Sequence, residues 1–100
     1  MATLLELSNF LGSPEYNVLV KKIRAAVVKK AVALADLASP NAAQVRWAKE
    51  TLANPAATAS VVVHYVIGEN AGLTIAQISG ASDAAIQTNV NTAVDKVLAL

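Results

Sequence analysis

The stretch GLTIAQISGASDAAIQTNV, residues 72–90, carries the spacing of a helix-turn-helix. With Gly80 at the turn, Ala76 and Ile86 fall where the motif takes a small residue and an apolar anchor, the types that two helices crossing at a tight corner require. A glycine at that turn is expected to supply φ > 0. DNA reading asks for more. A recognition helix starting at Ser82 would offer Asp83, Gln87, Thr88 and Asn91 to the groove, with no Lys or Arg until Lys96. Phosphates demand cations, and base edges are commonly read by Arg or Lys. Asn89 also stands where the motif usually has an apolar residue. The stretch therefore reads as a packed helical corner, with a small DNA-binding regulator as the alternative.

A second group is basic: Lys21, Lys22, Arg24, Lys29 and Lys30. At 100° per residue Lys22 and Lys29 align, Lys21 and Lys30 flank them and Arg24 points elsewhere. The stripe is either a solvated face whose stems cover alanines or a contact with DNA or an acidic partner, the latter amplified if a ring of subunits repeats the charge. His64, the only histidine, lies in an apolar run with no carboxylate at helical i±3 or i±4, which predicts a core or interface histidine and no metal. No nucleophile motif, phosphate-binding glycine loop or close carboxylate pair is present, so no catalytic residue, cofactor or enzymatic activity is expected. In AAQVRWAKETLANP, Arg46 and Trp47 are residue types that anchor interfaces. The chain has so few aromatics that Trp47 is expected to be the main core anchor, beside Val45 and Leu52; Arg46 stays open as a partner contact.

The elements that position these residues are all helices. Ser13-Pro14, Ser39-Pro40 and Asn54-Pro55 each pair a capping side chain with a proline suited to the first helical position. Thr3 with Glu6 and Thr74 with Gln77 form capping boxes, and Ser82-Asp83 marks a further start. Helices are predicted at 3–11, 14–38, 40–53, 55–68, 74–79 and 82–98: an all-α, compact bundle of about five to six helices around one long central helix, in one domain. The long helix carries two apolar strips. Tyr16, Leu19, Ile23, Val27, Ala31, Leu34 and Leu37 form one, and Val18, Ala25, Val28 and Val32 the other; the second needs a partner outside the first core. In the last helix Ile86, Val90, Ala93 and Val97 form the seam, with Gln87, Asn91 and Asp95 expected to turn away. The β-branched run SVVVHYVI, residues 60–67, favours a strand by propensity. It lacks alternation and follows a capped proline, so helix is the expectation.

Composition points to assembly. With 21 alanines, 13 valines and only four aromatic residues in 100, helices can approach closely while each buries little apolar area. There is no cysteine, so disulfides and thiolate metal sites are excluded. The first ten residues contain Glu6 and a short, interrupted apolar run, unlike a signal peptide, and the longest uncharged stretch, 51–68, holds Asn54, Pro55, Thr58, Ser60 and His64, so no membrane span is expected. Net charge is +1, but residues 1–50 hold seven Lys/Arg against four acids, and residues 51–100 one Lys against three.

With these features placed, the order of elements resembles that of small all-helical virion structural proteins of tailed bacteriophages. The resemblance runs over most of the chain and rests on RWAKETLANPAATASVVVHYVIGENAG and ASDAAIQTNVNTAVDKV. Its most specific parts are Arg46-Trp47-Ala48 followed by Leu52 and Asn54-Pro55, Asn70, Ser82-Asp83, Ile86-Gln87 and Val94-Asp95. The resemblance implies a subunit made in the host cytoplasm and built into the virion, as a homo-oligomeric ring of the neck or head-to-tail connector that joins portal and tail. It would touch those virion proteins, and Lys21, Lys22, Lys29, Lys30 and Arg46 would face a partner or, non-specifically, the DNA channel. A non-enzymatic adaptor or scaffold is a further alternative.

Overall fold

The computed structural model describes residues 14–99. The helix expected at 3–11, its Thr3–Glu6 box and Ser13 lie outside the described residues. Five helices follow one another: α1 (Pro14–Ala35), α2 (Ala42–Ala53), α3 (Pro55–Glu69), α4 (Ile75–Ser79) and α5 (Asp83–Leu98). There is no strand among the described residues, and 60–67 is helical within α3. Its β-branched residues are accommodated because Ala59, Val62, Val63 and Val66 fall at i, i+3, i+4 and i+7 and form one buried strip.

Local capping sets most helix starts. Asn54 Oδ1 accepts from the Ala57 amide at 3.3 Å with Pro55 in the first position. The Thr74–Gln77 box is reciprocal, at 3.1 and 2.9 Å. Ser82 Oγ accepts from the Ala85 amide at 3.1 Å. The start expected at Ser39-Pro40 is displaced: α2 begins at Ala42, capped by Asn41 in a box with Gln44 whose two bonds are 2.8 and 2.9 Å. That box satisfies two amides, whereas a proline start only removes one. The long helix ends at Ala35 and not at 38: after the Asp36 amide bonds to the Val32 carbonyl, the Leu37 amide closes a tighter turn on the Leu34 carbonyl.

The long helix is the centre of the bundle and packs against each of the other four. Leu19, Ile23, Val27, Ala31 and Leu34 are buried as its inner strip, with Tyr16 partly buried; Leu37 lies past the helix end and is exposed. The fully buried larger apolar side chains are Leu19, Ile23, Ile86 and five valines, none of them aromatic. Each contributes roughly 1.5–3 kcal/mol of burial, so the core is assembled from small increments. Buried Ala26, Ala31, Ala48, Ala59 and Ala93 let backbones come close in between.

Two expectations about local geometry are corrected. Gly80 has φ −81° and ψ −5°, so the turn makes no use of a left-handed conformation. A side chain is opposed there by proximity, since a Cβ would stand 3.1 Å from the Ala76 carbonyl oxygen. The polar face of α5 turns away only in part, at Asp95, whose side chain is 62% exposed. Gln87 Nε2 donates to the Ala26 carbonyl on α1 at 3.0 Å and to Asn91 Oδ1 at 2.9 Å, and Asp95 pairs with Lys30 at 2.8 Å. Spaced at i, i+4 and i+8, these three residues form a polar seam along α1 beside the apolar seam of Ile86, Val90, Ala93 and Val94.

Candidate functional site

The basic stripe divides in two. On α1, positions 22, 26 and 30 share a face and all three are engaged within the fold: Lys22 Nζ donates to the Ser79 carbonyl at the C-terminal end of α4, Ala26 receives Gln87, and Lys30 pairs with Asp95. The Lys22 contact places a cation where the helix dipole and unpaired carbonyls favour one. The Lys30 side chain is only 13% exposed, so this cation is a structural member of the α1–α5 seam. Lys21, Arg24 and Lys29 remain outward. They frame a shallow depression with Ala25, Val28 and Pro55, so Arg24, which points away from Lys22 and Lys30 as helical phase had it, shares the outward face with Lys21 and Lys29. Val18 and Val32 on this face are 45% and 46% exposed. Most of the second apolar strip of α1 is therefore left open among the described residues, with Val28 partly buried in a depression that Pro55 also lines and three cations interleaved.

A second uncovered surface lies between α2, α3 and α5 and takes no residue from α1. It is a groove of about 420 Å³ with mainly apolar walls: Trp47 from α2, Val61 and Tyr65 from α3, Val94 and Val97 from α5. Val61 is 57% exposed, and Glu50 is the one charged side chain that lines it. Trp47 is not the buried anchor expected. The α2 helix docks through Ala48 and Thr51, and one residue of helical rotation sets Trp47 beside that seam, where it is partly buried against the core and also forms a wall of the groove. Val45 and Leu52, its expected core neighbours, are about half exposed. Arg46 is exposed and borders, with Trp47, Glu50 and Val97, a smaller hollow next to the groove.

At the groove, Thr51 is fully buried and its Oγ1 lies 3.1 Å from Thr58 Oγ1. Thr58→Val is expected to destabilise the fold by about 1 kcal/mol, since it strands a buried hydroxyl, while Thr51→Val/Thr58→Val is expected to come back to within about 0.5 kcal/mol of the parent. Urea unfolding of the two variants and of Thr51→Val separates these outcomes; a double-variant loss equal to the sum of the two single losses would show that the hydroxyl pair is not coupled.

The other expected features are not brought together. His64 is exposed on the side of α3 opposite Ala59, Val62, Val63 and Val66, which corrects its placement in a core. No three metal-ligating side chains cluster among the described residues. In the corner at 72–90, α4 is only five residues long and buries Ile75 and Ile78, with its substantial packing on α1 and not on α5. Ala76, expected at the helix crossing, is exposed. Of the side chains that would read DNA, Gln87 and Asn91 are bonded in the α1–α5 seam, Thr88 Oγ1 donates to the Ala84 carbonyl at 3.0 Å, and Asp83 is an anion. No described helix is long and apolar enough to cross a membrane. No family model matches the chain, and no curated protein or solved structure is significantly similar to it.

Proposed function

We propose that this chain is a non-enzymatic structural subunit that assembles with copies of itself, and that its place is a ring in the neck or head-to-tail connector of a tailed-phage virion, between portal and tail. The observation that carries the assembly reading is the pair of unlike surfaces left open by the fold: the cationic, valine-lined outer face of α1 and the apolar groove of α2, α3 and α5. A head-to-tail contact that closes into a ring needs two different patches on each subunit, which is what these surfaces offer. The virion placement rests on the resemblance carried by Arg46-Trp47-Ala48, Asn54-Pro55 and the last helix. The regulator alternative draws little support from α5, whose candidate reading side chains are bonded within the fold.

Light scattering over a concentration series at two salt strengths, with a labelled DNA duplex in a parallel sample, tests this reading. A closed oligomer of defined mass, without tight duplex binding, is expected. A dimer that binds duplex with an affinity falling steeply with salt would sink it in favour of a DNA-binding regulator.

A further inference from the structure

We infer that the α2–α3–α5 groove receives the outer face of α1 from a second copy of this chain. The inference rests on the assembly reading above and specifies its contact. An exposed strip from Val18 to Val32 runs roughly 21 Å along α1 at 1.5 Å per residue, an amphipathic helix face with apolar side chains at helical spacing. The groove is the matching element, a hollow shared by α2, α3 and α5, with Trp47, Val61 and Tyr65 presenting apolar walls.

Charge decides which surface meets which. If the outer face of α1 met itself, Lys21, Arg24 and Lys29 of one copy would confront the same three of the other, a like-charge juxtaposition that suppresses self-pairing. The groove presents the opposite sign. Glu50 is its one charged lining side chain, and it is in neither of the ion pairs among the described residues, which are Lys30–Asp95 and Lys96–Glu69. Phosphate backbones suit the face less well, because Val18, Val28 and Val32 stand between the cations and gain nothing from an anionic, hydrated partner. The contact is head-to-tail, since each copy gives an α1 face and a groove.

Complementation tests it. Val18→Glu/Val32→Glu blocks the face and Val61→Glu blocks the groove; all three valines are about half exposed, and far-UV circular dichroism confirms that each variant keeps the parent fold. Each variant alone is expected to be monomeric, and an equimolar mixture to form a dimer and nothing larger, joined by the one intact face and the one intact groove. Trp47, the only tryptophan, lines the groove, so its emission shifts to the blue on mixing. Adding Glu50→Lys to the groove-donating variant weakens the mixed dimer about tenfold, while adding it to the face-donating variant leaves it unchanged.

A mixture that stays monomeric, or a Val61→Glu protein that assembles as the parent does, overturns the contact; if the parent is nonetheless a closed oligomer, the assembly reading survives by another interface. A mixed dimer from a parent that forms open chains keeps the contact and removes the ring. Duplex binding that is lost on changing Lys21 and Lys29 to Glu, without a mixed dimer, assigns the face to nucleic acid instead.

Discussion

Ile23→Ala is expected to lower the free energy of unfolding by about 3 kcal/mol and the melting temperature by roughly 12–20 °C. Ile23 has no exposed surface and sits in the middle of the inner strip of α1, the helix that every other one touches. The substitution removes apolar volume that nothing nearby can refill. The core cluster around it is largely alanine and valine, short or branched at Cβ, and such side chains cannot extend into a hole as Met or Leu would. The loss therefore includes the cavity as well as the transfer of the deleted atoms. It is a large part of the roughly 5–15 kcal/mol on which a domain of this size depends. Val32→Ala, nine residues along the same helix on its outer face, is the control and is expected to change stability by no more than about 0.5 kcal/mol. Urea unfolding of the two variants measures the contrast; an Ile23→Ala loss below that of Val32→Ala would mean that the inner and outer faces of α1 have been exchanged.

That contrast between faces was readable from periodicity alone, because a helical strip is a local pattern. The same holds for the caps at Asn54, Thr74 and Ser82, where donor and acceptor lie three residues apart. Asn41 with Gln44 is equally local, yet Ser39-Pro40 offers a competing start two residues earlier, and only the geometry shows which is used. Longer-range choices left no such trace. Gln87, Asn91 and Asp95 look like the solvent side of an amphipathic helix, and what ties Gln87 and the largely exposed Asp95 to α1 is a carbonyl and a lysine there, some sixty residues away in the chain. Lys22 and Lys30 are distinguished from Lys21 and Lys29 by the Ser79 carbonyl and the Asp95 carboxylate, which are as remote in the chain, so spacing could group the four but not divide them. Trp47 illustrates the remaining limit. Its size argued for the core, whereas the docking of α2 through Ala48 and Thr51 put it at the edge. The groove is made by three helices whose contributions are scattered from 47 to 97, and its sequence signal was the interface-anchor chemistry of Trp47, with nothing local to name the other walls.

Ala31→Leu carries the second large expected effect, a destabilisation of about 2 kcal/mol, and its sign separates close packing from simple shortage of apolar area. By composition the change looks favourable, since it adds hydrophobic surface to a core poor in it and leucine is a good helix former. Ala31, however, has no exposed surface and lies on the inner strip between Val27 and Leu34. A leucine there must displace the facing helix or adopt a strained rotamer, because the interhelical distance is set by alanine. Ala33→Leu is the paired control: the same substitution in the same helix, two residues on and in an exposed position, where the expected change is within about 0.5 kcal/mol. Thermal unfolding of the pair gives the answer. If Ala31→Leu stabilises, the core has slack, and the thinness of the bundle comes from loose packing. If it destabilises and Ala33→Leu does not, the alanines hold the helices at close range, no further apolar volume can be placed inside, and added stability has to come from covering the faces that remain outside.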